Sequence, residues 1–168
     1  MRRDELRALQ APLKERYRDD PQAALVTLSA SGTLADGIAC SVQIGRDLAV
    51  AGLHPATGGD GSLLCSGDML LQALAACAGV TLRAVATSLG ISVGDGTVRA
   101  EGDLDFRGTL GVDGEAPVGF TAIRLSFELD TDADEEQLEA LRRLTERYCV
   151  VYQTLAGSIG LSSAIAAR

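Results

Sequence analysis

The chain offers few side chains that could do chemistry. It has four cysteines, Cys40, Cys65, Cys77 and Cys149, and a single histidine, His54. No two cysteines stand in a CxxC pair, so a zinc site would have to gather its ligands from distant segments, and no structural metal is expected. One histidine leaves few ways to build a Ser–His or Cys–His couple, and no GxSxG, phosphate-loop or HExxH pattern occurs. The acidic residues fall mainly on wet strand faces or at helix starts, where solubility and capping explain them. What remains is thiol chemistry, in which the thiolate is the nucleophile. Cys77 lies in the least polar stretch of the chain, where plain packing competes with reactivity because a free cysteine behaves as a small buried hydrophobe. A reactive Cys77 would need its pKa brought from ~8.5 towards ~6, about 3.4 kcal/mol of differential stabilisation. Its own helix dipole is too far away to supply this, so a nearby cation is the expected source.

Composition narrows the setting. At 168 residues with 46% hydrophobic residues, the chain can bury a core of one domain's size. Its 15 basic and 23 acidic residues give a net charge of -8, and it has no Trp, three Tyr and three Phe. Neither a positive field for phosphates nor a stacking surface for bases is available, so no nucleic-acid partner is expected. The first 20 residues lack an apolar signal core. The most apolar stretch, 69–82, contains Gln72, ends at Arg83, and falls short of the ~20 apolar residues of a membrane span. The expectation is a cytoplasmic protein, away from membranes, with reduced thiols.

Periodicity locates the elements that must position Cys77. Residues 2–18 read as a charged helix with Leu6, Leu9 and Leu13 at helical spacing, and Pro12 is expected to kink or divide it. Its basic residues read as a solvated face. This helix, 1–20, stands apart from a single domain over 21–168. Beyond Pro21 the period becomes two: Ala24, Val26 and Leu28 predict a strand, and Ser31-Gly32 predicts a turn. Ile38, Cys40, Val42 and Ile44 predict the second arm of a hairpin, continued by 48–53, with Cys40 in the core. Residues 54–67, HPATGGDGSLLCSG, predict a loop; it has no following Lys and places Asp60 where a bound phosphate would sit.

The strongest helical pattern covers 68–89, with Leu70, Leu74, Cys77, Thr81 and Val85 on one stripe, and it closes at Gly90. Being nearly uncharged all round, this helix should be buried on most sides. Arg83 should point away from Cys77 and form an ion pair. Alternation over 98–106 and 123–129 predicts two antiparallel strands with one wet face. Asp132 with Glu135 reads as a capping box for a helix bearing Leu138, Leu141 and Leu144. A short helix or turn after Cys149 and a last strand over 158–165 complete an α+β order.

The segment GGDGSLLCSGDMLLQALAACAGVTLRAVATSLG resembles the Gly-rich loop and cysteine-bearing helix of the OsmC/Ohr family of osmotically induced and organic-hydroperoxide-resistance proteins, and ERYCVVYQTL resembles its second-cysteine segment. The resemblance implies an OsmC-like fold, with antiparallel sheets around long buried central helices in an interwound homodimer. It implies a thiol-dependent peroxidase acting on hydroperoxides in oxidative-stress defence, without flavin, haem or metal. Cys77 would be the peroxidatic thiolate, Cys149 the resolving thiol, and an external dithiol the reductant. The family's Glu falls on Gly67 here; Asp68, next along the chain, is its substitute and is equally explained as a first-turn acid. For the family's Arg the candidates are Arg46 and His54, each also readable as an ordinary strand-end or loop residue. Val150 replaces the Pro that follows the family's second cysteine. Cys65 is either an alternative resolving thiol or a packing residue. The alternative function is a non-catalytic, stress-associated binding or redox-sensing dimer on the same fold.

Overall fold

A long apolar helix is the axis against which the C-terminal hairpin and the last two helices pack. The structure, a computed structural model, describes residues 1–35 and 37–167. That axis, α2, spans Ser66–Leu89 and ends at Gly90, whose φ of 76° is a left-handed conformation that glycine adopts without steric cost. Preceding it are α1 (Arg3–Asp19), a sheet of β1 (Gly32–Ala35), β2 (Ala39–Ile44) and β3 (Asp47–Gly52), and the short β4 (Leu64–Cys65). β1, β2 and β3 pair antiparallel, and β4 runs parallel to β3. Following it are β5 (Gly96–Leu104), α3 (Phe106–Thr109), β6 (Phe120–Leu129), α4 (Glu135–Tyr148) and α5 (Val150–Ala156). This is the expected α+β order.

β5 and β6 form the expected antiparallel hairpin, with Val98 opposite Phe127 and Ala100 opposite Leu125. Their inward side chains cover one flank of α2. Leu74, Ala78 and Cys149 are fully buried against Val98, Ala100, Ile123, Leu125 and Phe127, and a second cluster joins Leu82, Val85, Ala86 and Leu141. The buried line on α2 is therefore Leu74, Ala78, Leu82 and Val85, rotated slightly from the expected stripe. Burial is also one-sided: 28% of the helix's most apolar window is covered within the chain. Ala73, Ala76 and Val80 face outward.

Other expectations need correction. α1 runs through Pro12 undivided; none of its residues is buried, so the carbonyl deprived of a donor by Pro12 can turn to water. The strand expected at 24–28 and the turn at Ser31-Gly32 are not formed. Pro21–Ala24 is a 3-10 turn capped by the Asp20 carboxylate, and Gly32 begins β1. Nor does 158–165 form a strand. Alternation specifies a face but not a partner, and among the described residues neither segment is paired in a sheet. Leu25, Val26, Leu28, Ile159 and Leu161 are consequently exposed.

The capping box of α4 is Asp134 with Gln137, two residues later than expected. Thr131 explains the delay: its hydroxyl donates to the Ser92 carbonyl and accepts from Ala133 N–H, tying 131–133 to the turn after α2. Arg83 forms no ion pair among the described residues. Its guanidinium donates to the carbonyls of Val93 (2.6 Å) and Gly94 (2.5 Å) and so fastens that same turn.

Leu141, 1% exposed, is the main side chain from α4 in the second cluster. Leu141→Ala should lower unfolding free energy by about 2–5 kcal/mol, read as a reduced urea midpoint with an unchanged m-value.

Candidate active site

Two of the four free thiols meet where α2 passes the junction of α4 and α5. Cys149 is that junction, serving as the C-cap of α4 and the N-cap of α5. Its N–H donates to the Thr145 carbonyl at 2.9 Å, and its carbonyl accepts from Gln153 N–H at 2.9 Å. Its sulfur accepts from Tyr152 N–H at 3.5 Å. With every polar group occupied, Cys149 is 0% exposed, whereas Cys77 beside it is partly open. The helix places one thiol within reach of solvent, and the helix–helix joint hides the other.

Their acidities diverge. Burial acts to raise the Cys77 pKa, but the nearby backbone of Val151, the thiol of Cys149, the backbone of Val150 and the hydroxyl of Thr81 together outweigh it. Cys77 consequently lies below the ordinary thiol value. Cys149 lies above it, chiefly through burial; Tyr152 N–H opposes the rise, while the hydrogen bond and negative charge of Cys77 add to it. The pair is therefore biased so that Cys77 loses its proton before Cys149, and their titrations belong to the pair. The leading groups acting on Cys77 are all neutral, whereas the sequence led us to expect a cation.

The remaining candidates lie elsewhere in the chain. Asp68 is in the first turn of α2, nine residues or about 13 Å along the axis from Cys77. Gly67 faces the Cys65 sulfur, the ring of Phe120 and the side chain of Leu104, so no charged group stands beside the position matched to the family's Glu. His54 caps the 3-10 turn Pro55–Thr57, with Nδ1 accepting from Ala56 N–H at 3.0 Å. Its ring stacks on Phe106 with centroids 4.9 Å apart. Arg46 is exposed in the turn between β2 and β3. Neither is among the groups acting on Cys77. Cys65 is the N-cap of α2, about 18 Å along the helix from Cys77, too far to resolve it within one chain. Cys40 is partly buried on β2.

Residue-type reasoning missed Thr81, Val150 and Val151 as partners of Cys77. Thr81 had a readable signal, since residues four apart share a helix face. The two valines act through backbone N–H groups, which no residue type reveals.

Residues 59–163 match the family described as OsmC-like protein, and the chain belongs to that family. No curated protein matches it. Among solved structures it is similar to an OsmC-like protein from Mycoplasma pneumoniae, with a TM-score of 0.65 and 18% identity over 79% of this chain and 89% of that one. It is also similar to an organic hydroperoxide resistance protein OsmC from Legionella pneumophila, with a TM-score of 0.62 and 21% identity over 80% of this chain and 92% of that one. A third is an organic hydroperoxide resistance protein from Elizabethkingia anophelis, with a TM-score of 0.63 and 16% identity over 80% and 91% of the two chains. At these identities the likeness carries the fold.

Iodoacetamide should modify Cys77 well before Cys149 in the folded protein. The Cys77 rate should titrate with a midpoint below the ~8.5 of an unperturbed thiol, followed by peptide mass spectrometry. Cys149 should become comparably reactive only on unfolding.

Proposed function

We propose that the chain is a cytoplasmic, homodimeric thiol peroxidase that reduces organic hydroperoxides through Cys77 and Cys149. The contact between an acidified, partly open thiol and a buried, protonated one carries this reading. The Cys77 thiolate attacks the outer peroxide oxygen, so that an S–O bond forms as the O–O bond breaks. The departing alkoxide takes a proton and leaves as an alcohol, and the sulfur is oxidised by two electrons to a sulfenic acid. Cys149 then attacks the sulfenic sulfur; a disulfide forms, and the hydroxyl leaves with the Cys149 proton as water. An external dithiol restores both thiols by exchange and is itself oxidised. No other cofactor enters this cycle.

An apolar groove of about 670 Å³ along β6, α4 and α5 supports an organic substituent on the peroxide. Leu74 and Tyr152 line this groove and also pack around Cys149. Hydroperoxide resistance in the names of the Legionella and Elizabethkingia proteins supports the same substrate class.

Steady peroxide loss with a dithiol should cease in Cys77→Ser. Cys149→Ser should perform a single turnover and leave a sulfenic acid that dimedone traps. The rival reading, a non-catalytic redox-sensing dimer, draws on the apolar surroundings of Gly67, where no carboxylate stands. Stoichiometric disulfide formation without multiple turnover would favour it.

Dimerisation is supported by the outward Ala73, Ala76 and Val80 face of α2 and by the unpaired apolar segments around Leu28 and Leu161. Light scattering at micromolar concentration should give about twice the chain mass. A monomer would remove this part of the proposal.

A further inference from the structure

A cleft of about 740 Å³ opens between the start of α1 and the end of α2, and neither Cys77 nor Cys149 lines it. Arg3 and Leu6 form one wall, and Arg83, Ala84, Ile91 and Val93 form the other. Leu6, Ala84, Ile91 and Val93 are half-buried, so the cleft has an apolar bed. The family match begins at residue 59, so α1 supplies a wall from outside the matched region.

The charge in this cleft is of one sign. Arg2, Arg3 and Arg83 line it, and among the described residues no Asp or Glu does. Glu5 neutralises Arg2, but Arg3 has no ion pair among the described residues. Arg83 is held by the neutral carbonyls of Val93 and Gly94, which fix its guanidinium and leave its charge uncancelled. A guanidinium has N–H donors to spare after two bonds. The end of α2 would by itself repel an anion, since helix C-termini carry partial negative charge. Here Gly90 N–H donates to the carbonyls of Ala86 and Thr87, and Ile91 N–H donates to that of Ala86. Two uncancelled guanidiniums beside an apolar bed, in a chain of net charge -8, suit a molecule with one anionic head and a hydrocarbon body.

We propose that this cleft binds a small organic carboxylate, its head meeting Arg3 and Arg83 and its hydrocarbon body lying on Leu6, Ala84, Ile91 and Val93. The site uses neither thiol, so it stands apart from peroxide reduction.

Octanoate is the probe, titrated calorimetrically into the whole reduced chain. It should bind, whereas octanol, which lacks the charge, and acetate, which lacks the body, should bind about tenfold more weakly or less. Arg3→Glu should weaken octanoate binding by about tenfold or more. Arg3 is exposed on α1, so this change removes no core contact. Arg18→Glu makes the same charge change at the far end of α1, outside the cleft, and should leave the affinity in place. Bound octanoate should slow hydrogen exchange over residues 83–93. Absence of binding at millimolar octanoate would overturn the proposal, as would equal affinity for octanol or for acetate. An unchanged affinity in Arg3→Glu, or an equal loss in Arg18→Glu, would also overturn it. Protection confined to 120–129 would place the ligand in the groove along β6 and defeat it as well.

Discussion

The packing of two thiols against each other, where α2 meets the α4–α5 joint, is the contact on which the site depends. It works because the two cysteines are unequal. Cys149 is sealed by Leu74, Ala78 and the β5–β6 hairpin, so burial holds its proton in place. Cys77 is partly open, and the nearby backbone of Val150 and Val151 and the Thr81 hydroxyl help to lower its pKa. The fold keeps α4 and α5 as separate helices at Cys149; a single straight helix through residue 149 would leave no free N–H groups there to face α2.

Magnitudes decide whether a cation is needed. A shift from ~8.5 to ~6 requires about 3.4 kcal/mol. One hydrogen bond to a charged group contributes ~1.5–3 kcal/mol before solvent competes. Several neutral groups converging on Cys77 therefore act in the direction this chemistry needs without a cation. The sequence argument for a cation was sound for an isolated helix but counted only the dipole of α2. It could not count N–H groups delivered by a helix more than 70 residues later in the chain.

Much of the fold was legible. The long run of small and apolar residues defined α2, and strict alternation defined β5 and β6, because each pattern has a face to bury within one chain. The same alternation misled at Ala24, Val26 and Leu28 and over 158–165, which pair with no strand among the described residues. Cys77 and Cys149 were singled out by the poverty of other chemistry and by resemblance to a known pair; their meeting required tertiary structure. Asp68, His54 and Arg46 were chosen to fill roles taken from relatives. Here their side chains are occupied in local structure or solvent, distant from the sulfur in the case of Asp68.

Neutral donors around Cys77 have a consequence beyond acidity. Attraction between a thiolate and an exposed guanidinium is screened as ions accumulate, with a Debye length of about 10 Å at 0.1 M salt and about 3 Å at 1 M. Peptide groups and a threonine hydroxyl close to the sulfur carry no net charge for ions to screen. On the proposed reading, a Cys77 thiolate stabilised by neutral neighbours should keep its character in concentrated electrolyte, where a thiol dependent on a more distant surface charge would lose part of its activation.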